Sequence, residues 1–181
     1  MSESPDPHAD RALVERILDG DVRAFEVLVE RQEPRVFRVL AWMGVPYDDR
    51  EDLAQEVFLR VFRYLPSFKR TASLDSWIYK IAVHAATDER RRRIRRPEPM
   101  GGRELEAEAP AVAASDSGLP GRRLLAALGS LTARERAVFV LSELEGIEVK
   151  RIAKILKITR VTVRRHLSLA RQRLTAELEK K

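Results

Sequence analysis

Along most of this chain apolar residues recur at spacings of three and four, and the strict alternation of a half-buried strand is nearly absent. The pattern predicts a short helix over about 9–19, carrying Leu13, Ile17 and Leu18 and stopping at Gly20. Asp21 is placed to cap a longer helix with Phe25, Leu28, Val29, Val36, Val39, Leu40 and Met43 on its apolar side. Pro34 lies inside that stretch, so a kink or a restart is expected there. A turn over 44–49 leads to a helix at about 49–65 with Leu53, Val57, Phe58, Val61 and Leu65 facing inward. A loop from Pro66 to Ser73 precedes another helix at about 74–94.

From Pro97 to Gly121 the chain turns to Pro, Gly, Ala, Glu and Ser with few large apolar residues. Such a stretch cannot bury enough surface to order itself and reads as a flexible linker. Beyond it the periodicity resumes, predicting helices at about 121–129, 132–144, 148–156 and 160–178. The fold class is therefore all-α: two small helical domains, over 10–95 and 122–178, joined by a tether at 96–121.

The second domain carries the sharper motif. Thr132 and Glu135 have the spacing of a capping box. In VKRIAKILKITRVTVRRHLSLARQRL, Ile152, Ala153 and Leu156 form the inner face of one short helix, and Val163, Leu167, Ala170 and Leu174 that of the next. Ile158 plugs the turn between them, and the small Ala153 lets them cross closely. This is the sequence form of a helix-turn-helix. Thr159 is placed to cap the second helix, whose outward side carries Arg160, Thr162, Arg164, Arg165 and His166. Arginine forks onto guanine, threonine meets either base edge, and the later Arg171 and Arg173 suit phosphates. Lys157 stands where glycine commonly supplies the positive φ of the turn, at a cost of about 1 kcal/mol.

Charge sharpens that picture. The net charge of +6 hides an alternation of −3 over 1–70, +4 over 71–96, −4 over 97–121 and +9 over 122–181. Two basic blocks separated by acidic ones predict a polyanion met at two places. Cysteine is absent, which removes disulfides and thiolate-bound zinc. Three scattered histidines and no Gly-rich phosphate loop or hydrolase signature give no catalytic centre, cofactor or metal site. No apolar run reaches bilayer length, and the N-terminus lacks the basic-then-apolar order of a signal peptide, so a cytoplasmic location is expected.

In the first domain the helix at 49–65 presents Asp52, Gln55, Glu56 and Leu59 away from its buried face, a stripe that either docks a protein or is solvated. The next helix sets Trp77, Lys80, His84 and Asp88 on one strip, and six arginines fall among residues 90–96. Rings beside cations suit unpaired bases, although Trp77 on its own also reads as a core residue.

Taken together, GDVRAFEVLVERQEPRVFRVLAWMG, EDLAQEVFLRVFRYLPSF, SWIYKIAVHAATDERRR and LTARERAVFVLSELEGIEVKRIAKILKITRVTVRRHLSLARQRL resemble the extracytoplasmic-function sigma factors of bacteria, in the same order. The resemblance implies sigma region 2 in the first half and region 4 in the second. It implies that Asp52, Gln55, Glu56 and Leu59 grip the β′ clamp helices of core RNA polymerase. Phe68 and the loop to Ser73, with Trp77, Lys80 and His84, then melt and hold the −10 element, with Arg90 and Arg91 on nearby phosphate. Thr159, Arg160, Thr162, Arg164, Arg165 and His166 read the −35 element, and region 4 also touches the β flap. An anti-sigma partner is implied, with a monomer as the free state. The sequence departs from the family at Leu74 (commonly aromatic), His84 (usually asparagine), Lys157 and His166, which bears on base preference. A LuxR-like dimeric regulator accounts for the second half alone but leaves the first half unexplained.

Overall fold

The computed structural model describes residues 7–68, 73–95 and 118–179. Among these residues every regular element is helical: α1 (Pro7–Leu18), α2 (Val22–Trp42), α3 (Tyr47–Tyr64), α4 (Leu74–Arg95), α5 (Gly118–Leu128), α6 (Ala133–Phe139), α7 (Val149–Leu156) and α8 (Arg160–Glu179). The tether predicted at 96–121 falls mostly outside the described residues, α5 beginning three residues before its expected end.

Local signals set the boundaries. Gly20 ends the first helical stretch at φ +91°, and the Asp21 carboxylate accepts the Ala24 N–H at 3.1 Å to open α2. Pro34 does not stop α2, which runs through it without a restart; Leu28 and Gln32 on one side and Val36 and Val39 on the other are buried in one core. Their burial outweighs the single backbone hydrogen bond that proline removes. Ser73 caps α4 through Ser76 N–H, and Thr132 and Glu135 complete the capping box of α6. Lys157 takes the left-handed conformation at φ 52°, ψ 47°, as the missing turn glycine demands.

After α6 the helix widens into a π turn at Val140–Leu144, closed by Glu145 N–H on the Val140 carbonyl. The sequence pattern read this region as continuous α-helix. The consequence is positional, because the wide turn delivers Glu145 toward the first domain.

The two halves pack on each other. One hydrophobic cluster takes in Leu28, Val36, Val57, Ile78 and Ala82 from the first half and Val138, Leu141, Ile152 and Val163 from the second. A smaller cluster of Leu128, Leu131, Ala170 and Leu174 belongs to the second half, and Trp42 packs against both. Burial of this shared apolar surface holds the halves together independently of the tether.

Candidate functional site

Two unlike surfaces stand out, with a buried junction between the halves. The first lies on α3. Leu53, Ala54, Val57, Phe58 and Val61 face the core, so positions offset around the 3.6-residue turn face solvent. Asp52, Gln55 and Leu59 are exposed, Leu59 at 68%. Glu56 is half-buried, because it pairs with Arg60 on its own helix and with Arg92 of α4 at 3.4 Å. Between α2 and α3 runs a groove floored by Phe25, Val29, Phe37, Ala54 and Phe58 and rimmed by Glu33 and Glu51. Phe62 extends it edge-on against Phe25, with ring centroids 5.0 Å apart. The sequence pattern placed Phe25 on the apolar side of its helix without assigning it to a docking surface, and it did not single out Phe37 or Phe62. Phe62, three residues beyond Leu59 and off the row of Leu53, Val57, Phe58 and Val61, was the available signal.

The α4 strip is only partly open. Trp77 is half-buried and packs on Phe68, with ring centroids 5.2 Å apart. Lys80 is half-buried and His84 exposed. Residues 69–72 of the adjoining loop lie outside the described residues. Leu74 is buried in the core. Three arginines of the run are paired: Arg91 with Asp88, Arg92 with Glu89 and with Glu56 of α3, and Arg93 with Glu89 and with Asp49 of α3. Arg90 differs, being half-buried with its Nη1 shielded from solvent and without a hydrogen-bond partner.

The second open surface is α8. Its row of Val163, Leu167, Ala170 and Leu174 is buried, which throws Arg160, Arg164 and Arg165 into solvent. Thr159 caps the helix, its hydroxyl accepting Thr162 N–H at 3.1 Å and sharing a hydrogen bond with the Thr162 hydroxyl at 2.8 Å. His166 lies on the flank, half-buried, its Nδ1 shielded and its ring acting on Glu135. Arg171 and Arg173 reach back to Glu143 at 2.7 Å and Glu135 at 2.8 Å. The reading surface is thus narrower than the run of basic residues.

At the junction Glu145, its side chain 2% exposed and close enough to Tyr79 to act on its phenol, receives both Nε and Nη2 of Arg38. That bond holds Arg38 firmly charged, while burial and then the Glu145 charge push the Tyr79 phenol up. A second prong, Arg136 of α6, is buried and donates Nε to the Trp42 carbonyl at 2.7 Å, at the end of α2. Burial, and secondarily the charge of Arg90, lowers Arg136 to about 10.

Among the described residues no group of three or more His, Cys, Asp or Glu side chains is placed to hold a metal ion, and no helix is long and apolar enough to cross a membrane.

Comparison with known proteins places this arrangement. Sigma-70 region 2 matches residues 28–96, and Sigma-70, region 4 matches residues 121–174. The chain is 30% identical to the ECF RNA polymerase sigma-E factor of Escherichia coli, with 94% of both chains covered. It is similar to CnrH, solved in complex with the cytosolic domain of CnrY, at a TM-score of 0.72 and 26% identity over 94% of this chain and 97% of that one. It shares its fold with the sigma factor RpoE of Bartonella quintana, solved with the anti-sigma factor NepR (TM-score 0.73, 23% identity, 87% of this chain and 98% of that one).

Proposed function

The chain belongs to the extracytoplasmic-function sigma factors of the sigma-70 family, and from that premise we propose how its surfaces divide the work of starting transcription. It is an alternative sigma factor that directs promoter-specific transcription, and sigma factors are regulatory, non-catalytic proteins. Region 2 spans 10–95, the tether 96–121 and region 4 122–178. It acts in the cytoplasm, where core polymerase and promoters are found.

Asp52, Gln55, Glu56 and Leu59 dock on the β′ clamp helices, and the aromatic groove beside them takes the apolar part of that contact. Phe68, Trp77, Lys80 and His84 hold the unpaired −10 bases, whose binding offsets an unstacking cost of a few kcal/mol per base. Arg90 and Arg91 meet nearby phosphate. Thr159, Arg160, Thr162, Arg164 and Arg165 approach the −35 duplex, His166 acts from the flank, and region 4 touches the β flap. An anti-sigma protein occludes the polymerase-binding faces.

One observation carries this reading: the acidic, leucine-bearing face of α3 and the arginine-studded face of α8 are both open to solvent. A protein-docking surface and a duplex-reading surface on one molecule suit a factor that delivers polymerase to DNA. The −10 strip requires more, since the Arg90 tip is shielded in this arrangement and region 4 must move away before it reaches phosphate.

The test is run-off transcription with purified core polymerase on templates carrying cognate promoters. A promoter-dependent product is expected, and Leu59→Arg abolishes it and co-elution with core polymerase while leaving thermal unfolding unchanged. No product from any such template defeats the reading.

A further inference from the structure

The four buried residues of α8 fix which of its residues lie farthest from the domain. At 3.6 residues per turn, the line opposite Val163, Leu167, Ala170 and Leu174 runs through Val161, Arg165, Ser168 and Gln172. All four are exposed. The leading member is the anomaly. Val161 is 72% exposed, the most open of the large apolar side chains among the described residues, and it belongs to neither hydrophobic cluster. A β-branched residue in an exposed first turn also favours helix less than Ala, Lys or Glu. Neither packing nor helix formation accounts for it.

Its neighbours specify the chemistry. Arg160, Arg164 and Arg165 surround it with exposed cations, a setting for a polyanion. The Thr159 and Thr162 hydroxyls share a hydrogen bond that leaves one O–H proton of the pair free to donate, and Thr162 lies to the side of the outward line that Val161 leads. The central group that this turn carries toward a groove is an isopropyl. In the major groove thymine alone of the four bases offers an apolar methyl. Pressed against any other edge, the same isopropyl shields polar groups from water and gives them no partner.

We infer that Val161 is a specificity-determining residue that packs on the 5-methyl group of a thymine in the −35 duplex. This rests on the reading of α8 as the duplex-reading helix. Arg165, one turn further on the same line, forks onto guanine. Four residues advance about 6 Å, so that guanine lies within about two base steps of the thymine.

The experiment uses the full chain on core polymerase to select duplexes from a randomised pool. Each thymine of the enriched −35 segment is then replaced singly by deoxyuridine, which removes the methyl and keeps every hydrogen-bonding group. At one thymine the wild-type protein is expected to lose about fourfold in affinity, the value of one buried methyl-sized group. Val161→Ala is expected to bind the thymine duplex more weakly by a similar factor and to be indifferent to uracil there. Its thermal midpoint serves as the folding control and is expected not to fall, because the side chain is mostly exposed and outside both hydrophobic clusters.

The inference is overturned if no thymine shows methyl dependence, or if Val161→Ala keeps the wild-type dependence. Failure to enrich any duplex overturns it together with the reading of α8. An enriched duplex without methyl dependence overturns the role of Val161 alone.

Discussion

Arg38 of α2 and Glu145, which follows the π turn, meet at two points across the junction of the halves: Nε to Oε1 at 2.9 Å and Nη2 to Oε2 at 3.0 Å. A forked guanidinium–carboxylate pair is directional as well as strong. It therefore sets how region 4 sits on region 2, beyond what apolar contact alone specifies. Removing Glu145 strands the Arg38 charge. Glu145→Ala is expected to cost about 3 kcal/mol and to increase amide hydrogen exchange in α4. Urea denaturation of this variant, Arg38→Ala and the double variant measures the coupling, and strictly additive losses would show that the pair does not hold the junction.

Gly44 and Arg136 give a second long-range test. Gly44 sits at φ +86°, and a Cβ built there overlaps the Arg136 guanidinium. Gly44→Ala is expected to cost about 1 kcal/mol in backbone strain and more by displacing Arg136 from the Trp42 carbonyl. In an Arg136→Ala background only the strain remains. A double-mutant cycle on the unfolding free energy measures the difference.

Lys157 holds a left-handed conformation that glycine adopts without strain. Lys157→Gly is expected to stabilise the protein by up to about 1 kcal/mol, with part of the gain lost to the freer unfolded chain. The change appears as a higher thermal midpoint, and a lower one contradicts the prediction.

Glu135 yields a pH prediction. Burial pushes its carboxyl up, but the Thr132 backbone and hydroxyl bonds, Arg173 and His166 together bring it below the usual 4.5. A carboxyl depressed in the folded state stabilises above its unfolded value, and that contribution is lost as pH falls through the folded one. Stability is therefore expected to drop on acidification below about pH 4.5. Glu135→Gln, which retains the capping geometry, flattens that drop. Denaturant midpoints measured across the acid range provide the check.

The features legible in the sequence share one property: the groups that decide them lie within a few residues of each other. Gly20, the Asp21 cap, the capping box of Thr132 and Glu135, and the strained turn at Lys157 all stand as the residue pattern predicts. The buried row of α8 was equally readable, because a helix converts spacing directly into a face. The two-block charge pattern pointed to a polyanion, but not to which cations are free to meet it.

Those cations depend on partners remote in the chain. Arg92 and Arg93 turn to Glu56 and Asp49 of α3, Arg173 turns to Glu135, and His166 lies on a flank. The sequence by itself determined the helices, their caps and the family to which their order belongs, since those follow from local hydrogen bonding and periodicity. Only the tertiary structure decided that Pro34 leaves α2 unbroken, that a π turn delivers Glu145 to a partner 107 positions away, and that the outward-placed His166 is half-buried. The physical reason is that burial, ion pairing and exposure are properties of neighbours in space, and residue spacing encodes only neighbours along the chain.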